Sequence, residues 1–170
     1  MTDTYQRAEQ WEAHASDYEI ALRERPDDIE VWMNLTTLYW QATDPGISAG
    51  KGMSVDFFKF SADRLSALLA IGRERFAGIP QAEFWTRYVE WAECGRPLEV
   101  AECREWLARA PQFKDPALYI LMATPGAPCD GDVAQLLAEC RGQETMRADY
   151  IVSVIEARAE RNSWLADPPS

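Results

Sequence analysis

Histidine is nearly absent: His14 is the only one in 170 residues. Carboxylate-rich metal sites in helical bundles use Glu-x-x-His pairs on facing helices, and none can be written here. A Cys-His or Ser-His nucleophile would have to use His14. It falls in mid-helix, between Ala13 and Ala15. Catalytic groups tend to sit on loops, so a packed or surface histidine is expected. Cysteine is sparse too. Cys94, Cys103, Cys129 and Cys140 form no C-x-x-C pair and no zinc spacing. Cys129 lies in "PGAPCDGD", where Asp130 and Asp132 disfavour a thiolate. Neither a metal nor a cofactor is expected, and no residues compose an enzyme's nucleophile.

Long apolar runs are missing. None approaches the roughly 20 residues of a membrane span, and the stretch from Leu65 to Ile71 carries the pattern of a helical core face. The polar start Met1-Thr2-Asp3-Thr4 has no basic or apolar region of the kind that opens a signal peptide. The cytoplasm is the expected location, with reduced thiols. Basic residues are outnumbered, 17 Lys and Arg against 28 Asp and Glu, for a net charge of −11. Such a field repels phosphate backbones, so nucleic acid is not an expected partner. It speeds encounter with a cationic protein. The Gly46-x-x-x-Gly50-Lys51-Gly52 stretch is one residue short of a phosphate loop. It has Gly52 where Ser or Thr is needed, and no strand precedes it. A flexible connector is expected there.

What the chain does have is aromatic residues and helical periodicity. Seven Trp and six Tyr argue against disorder. A chain of this length can bury roughly 70% of its unfolded surface without a disulfide or metal. A first helix is predicted from about Thr4 to Glu24, capped by Asp3 with Gln6 and stopped by Pro26. Its stripe is Ala8, Trp11, Ala15, Tyr18 and Leu22. Asp27 or Asp28 caps a second, with Trp32, Leu35, Leu38 and Tyr39 inward. Asp44 to Met53 reads as a loop. Ser54 caps a third helix to Phe76 with the stripe Phe58, Ala62, Leu65 and Leu69, and Gly78 closes it. Pro80 opens a fourth, bearing Phe84, Trp85, Tyr88 and Trp91. A fifth runs from Pro97 to about Ala110.

Asp115 caps a sixth helix with Pro116 at its first position. After a loop from Thr124, Asp132 and Gln135 cap a seventh. An eighth, from about Glu144 to Arg161, turns Ile151, Val154 and Ile155 inward. No segment alternates as a strand does. The expectation is an all-α stack of antiparallel helical hairpins, about eight helices. It forms one domain over residues 1–165, with 166–170 a frayed tail.

Trp32-x-x-Leu35-Thr36-x-x-Tyr39, preceded by Tyr18-x-x-Ala21-Leu22 and Pro26, resembles the tetratricopeptide repeat. The likeness is clear over about residues 5–41. Trp85, Tyr88, Ala101 and Ala108 are similar to a second, degenerate unit. The resemblance implies an α-solenoid whose first helices line a groove for a peptide or partner protein. Carried onto the second helix, the groove residues are Glu30, Met33, Thr37, Trp40 and Gln41. Arg87 and Glu90, on the helix of Trp85 and Tyr88, complete the candidate partner-binding set. Glu83, Glu90, Glu93, Glu99, Glu102 and Glu105 form either a solvated face or an acidic patch. The function expected is therefore protein binding, as adaptor, scaffold or chaperone. The alternative is an acidic inhibitor or immunity-type protein that neutralises a basic partner such as a toxin. The sequence does not state an oligomeric state.

Overall fold

In the computed structural model, residues 2–124 and 131–166 are described, with side chains over 8–124 and 131–161. The all-α expectation holds: among these residues there are nine helices and no strand. They are α1 (Thr2–Glu24), α2 (Ile29–Ala42), α3 (Pro45–Lys51), α4 (Val55–Arg75), α5 (Pro80–Cys94), α6 (Val100–Arg109), α7 (Pro116–Ala123), α8 (Gly131–Cys140) and α9 (Met146–Ala166). The chain divides into two compact units, Met1–Val89 and Glu90–Ser170.

The additional helix is α3, in the segment expected to be a loop. Asp44 Oδ1 accepts from the Ile47 amide at 2.8 Å, and Pro45 takes the first helical position. Asp-Pro followed by a short apolar stretch starts a helix as it does at Asp115-Pro116, and the glycines of the segment obscured this. Gly52, at φ +71, ends the helix in the left-handed region. Gly46 and Gly50 thus sit inside a helix, where they cannot form an open phosphate loop.

The first unit is built around α2, which packs on both α1 and α4. Asp28 Oδ1 accepts from the amides of Glu30 and Val31 and fixes where α2 begins. The nine residues from Val31 to Tyr39 are all buried, so the middle of α2 is covered on every face. Trp32, Met33, Leu35 and Leu38 have no exposed surface. The Trp32 indole N–H donates to the Leu68 carbonyl at 2.9 Å, and its ring meets Phe76 at 5.6 Å. The buried face of α4 is Ser61, Leu65, Leu68 and Gly72, leading to Phe76. The stripe expected through Phe58, Ala62 and Leu69 is off by one position. Ser61 and Gly72 carry no hydrophobic signal, yet both are buried; Gly72 is the thin place on α4 that Trp32 lies against, and the Ser61 hydroxyl donates to the Phe57 carbonyl. From α5, Phe84, Trp85 and Tyr88 are fully buried, as expected.

In the second unit, α7 touches α6, α8 and α9. The Glu102 carboxylate accepts from the Glu99 amide at 2.9 Å and starts α6, a cap on a residue read as part of an acidic face. Cys103 and Trp106 point inward from α6, and Ala110 follows; Ala101 and Ala108 are exposed, contrary to their expected packing role. Ile151 and Ile155 of α9 are buried as expected, while Val154 is half-buried. Pro116 opens α7, but Asp115 does not cap it. Its carboxylate, 2% exposed, instead receives Arg147 of α9 at 2.7 Å on both oxygens. Lys114 Nζ bonds Asp132 at 2.6 Å, so Asp132, inside the first turn of α8, ties that helix to the segment before α7. The side chains of Asp3 and Gln6, and Cys129 with its loop, lie outside the described residues.

Burial pushes the Cys103 thiol up to about 12 from its ordinary 9.0, with the Glu102 charge adding to this. Tyr119, whose hydroxyl donates to the Leu98 carbonyl, is also raised, first by burial. Groups raised in the folded state stabilise it fully below their unfolded pKa and lose that contribution as pH rises. The urea midpoint is expected to fall as pH climbs from about 9 towards 12, and Cys103→Ala is expected to flatten the early part of that fall. In native protein at pH 8, iodoacetamide is expected to modify exposed Cys94 and spare buried Cys103 and Cys140, as read by peptide mass.

Candidate functional site

Of the five residues expected to line a groove on α2, two are core, two are half-buried and one is exposed. Met33 and Thr37 have no exposed surface, and the Thr37 hydroxyl donates to the Met33 carbonyl at 2.8 Å. Trp40 is half-buried, with its ring edge-on to Tyr88 at 5.6 Å. Gln41 is half-buried and bonds back to the Thr37 carbonyl; Glu30 alone of the five is exposed. A side chain without surface cannot meet a partner, so Met33 and Thr37 leave the candidate set. The face of α2 expected to be open is covered, at Trp40 by α5. Arg87 is half-buried. Glu90, in the second unit, is 5% exposed and held by Arg96 at 3.1 Å.

One surface that is open in the first unit lies between α1 and α4. The two helices run side by side in the same direction. Glu19 meets Arg64, and further on Arg75 donates to the Pro26 carbonyl at 3.0 Å. Arg64 grips Glu19 through two bonds, Nε to Oε1 at 2.6 Å and Nη2 to Oε2 at 2.9 Å. The Tyr39 hydroxyl of α2 joins from beneath, donating to Glu19 Oε1 at 3.1 Å. Burial raises the Tyr39 phenol, with the Glu19 charge second. The hydrogen bond to Glu19 raises Arg64. Both shifts keep the protons where the network needs them: Tyr39 as donor, Arg64 as cation.

This bridge divides the cleft into two chambers. The first, about 310 Å³, has Tyr39 and Ala15 at its base and Phe57 and Phe60 on its α4 wall. Glu12 and Ser16 form the α1 wall. Phe60 is 52% exposed, one of three large hydrophobic side chains left open among the described residues. It stacks edge-on to Tyr39 at 5.8 Å, and Phe57 lies 6.2 Å from the same ring. The second chamber, about 270 Å³, lies beyond the bridge, towards the last turns of α1 and α4.

The cleft lies away from the groove that the repeat motif implies on α2. One signal was present in "FFKF", residues 57–60. Three phenylalanines in four residues cannot share one stripe of a helix, so at least one must leave the core. Among the described residues, no three His, Cys, Asp or Glu side chains are placed to hold a metal ion. His14 is exposed on α1. No helix described is long and apolar enough to cross a membrane. Comparison with known proteins returned no matching family model, no matching curated protein and no matching solved structure, so the reading of this cleft rests on its own geometry.

Proposed function

We propose that this chain is a tetratricopeptide-like helical module that acts by protein binding, as an adaptor, scaffold or chaperone, and that it takes a partner segment in the cleft between α1 and α4. The observation that carries this reading is Phe60, half-exposed beside Phe57 over the Tyr39 ring in a preformed chamber. An aromatic anchor at a concavity is where binding free energy concentrates. Glu12 on the rim suits a partner segment that sets a basic residue next to an apolar one. The packing of Trp32 and Tyr39 into the first unit's core supports the repeat likeness.

A photo-crosslinking amino acid at position 60, and separately at position 104 on α6 (Arg104, exposed), tests the site in native cell extract. A discrete adduct from position 60 and none from 104 is the expected result. Phe60→Asp is expected to abolish that partner's binding while the chain stays folded, with an unfolding free energy lowered by no more than about 1–2 kcal/mol from the lost Tyr39 contact. Equal adducts from both positions would overturn the assignment. The charge of −11 favours a second reading, an acidic inhibitor of a basic protein. In that case binding would ignore Phe60→Asp and its association rate would drop steeply with salt.

A further inference from the structure

The second chamber of the cleft has a different chemistry from the first. Its walls are Leu22 and Arg23 from α1 and Ile71 and Arg75 from α4, closed on one side by the Glu19–Arg64 bridge. Three arginines and one carboxylate residue, Glu19, line it, in a chain with net charge −11. Their donors are far from exhausted. A guanidinium offers five N–H groups, and Arg64 uses its Nε and Nη2 on Glu19. Arg75 gives Nη1 to the Pro26 carbonyl, and its Nε stands 4.0 Å from Asp27, a carboxylate 87% exposed. A pair so long and so wet holds the guanidinium weakly. Arg23 is exposed in the last turn of α1.

We propose that this chamber binds a carboxylate of the same partner segment whose apolar side chain enters the Phe60 chamber, an inference that rests on the function proposed above. The cleft is then polarised. An apolar pocket rimmed by Glu12 lies at one end and an arginine pocket at the other, with the Glu19–Arg64 bridge as a fixed divider. The centres of the two chambers are separated by about 7 residues along α1 and about 11 along α4, or about 10–17 Å at the helical rise. An extended chain covers that in about three to five residues. The segment recognised therefore carries an apolar residue and, about three to five positions away, a carboxylate, either its own C-terminus or an Asp or Glu side chain. The carbonyl ends of α1 and α4 lie near this chamber and disfavour an anion. Charge-assisted Arg–carboxylate bonds are strong enough to offset that, and planar geometry lets one carboxylate bridge two guanidiniums.

The test uses the full chain and three synthetic peptides. Two have one leucine followed by four glycines, and the third has Asp in place of the fourth glycine. Of the first two, one ends in a free carboxylate and one is amidated; the third is amidated. Binding is followed by NMR, on the Phe60 ring signals and the arginine Nε–H signals. Both carboxylate peptides are expected to shift both sets and to bind about tenfold more tightly than the amidated one. Arg23→Gln, an exposed substitution, is expected to remove most of that difference. Should only the free C-terminus show the gain, the carboxylate recognised is terminal; should only Asp show it, a side chain is recognised. Equal binding of all three, abolished by Phe60→Asp, overturns the carboxylate chamber and leaves the docking cleft standing. A carboxylate preference that survives Phe60→Asp unchanged overturns the coupling of the two chambers. No shift with any peptide overturns both.

Discussion

Arg147→Met is expected to destabilise the second unit by about 3–5 kcal/mol, the cost of breaking a buried ion pair by removing one of its members. Asp115 is 2% exposed and Arg147 8%, and the guanidinium reaches both carboxylate oxygens at 2.7 Å. Removing Arg147 takes from a buried carboxylate the guanidinium that meets both of its oxygens. The double variant Asp115→Leu/Arg147→Met removes the charge as well as its partner, and is expected to recover most of the loss. Urea unfolding followed by Trp fluorescence measures all three chains. A double variant as unstable as the single would mean that the pair positions α7 against α9 by geometry that apolar side chains cannot supply. Surface pairs serve as the control. Arg141–Glu156, at 2.9 Å but about half exposed on both sides, is expected to matter by less than about 1 kcal/mol.

The second large effect is in the first unit, where Trp32→Ala is expected to cost about 3–5 kcal/mol. The indole is fully buried, bonds the Leu68 carbonyl, and lies against Gly72. Gly72 supplies the sharper test. In an ordinary helix interior Gly→Ala stabilises by about 1 kcal/mol. Here an added Cβ would stand 2.5 Å from Trp32 Cζ2 and 2.9 Å from Thr86 Oγ1. Neither neighbour is free to withdraw, since Trp32 is fixed by its hydrogen bond and Thr86 is buried. Gly72→Ala is therefore expected to destabilise by on the order of 1–2 kcal/mol, the overpacking cost exceeding the propensity gain. In the Trp32→Ala background the same change is expected to cost at least about 1 kcal/mol less, because the two positions share one space. A stabilising Gly72→Ala in the wild type would show that Trp32 repacks easily, and would refute the close approach of α2 and α4.

The thiol, Phe60 and peptide experiments examine different parts of the molecule from these two. The core variants change stability with no partner present, whereas Phe60→Asp changes binding in a chain that stays folded. Failure of one set says nothing about the other.

The sequence by itself determined that this chain is helical and where most helices begin. Ser54 and Asp28 cap the helices they were read to cap, Pro80 and Pro116 open theirs, and Trp32, Tyr39, Trp85 and Tyr88 are core. These are local or bulk properties: a cap acts over three residues, and a large aromatic residue is buried wherever space allows. Where the local cue was masked, as by the glycines after Asp44-Pro45, the helix was missed. What only the tertiary structure decided is which faces are open. Nothing in α2 marks Met33 and Thr37 as covered, because the covering atoms belong to helices distant in sequence. Asp115 had a sound local role as a cap, but a buried guanidinium 32 residues away is the stronger partner for a buried carboxylate. Gly72 and Ser61 read as gaps in a hydrophobic stripe until Trp32 filled the first. The cleft between α1 and α4 exists because both helices pack on α2, and Glu19 and Arg64, 45 residues apart in sequence, bridge it. Periodicity reports which residues prefer burial; which surface stays exposed depends on what the rest of the chain places against it.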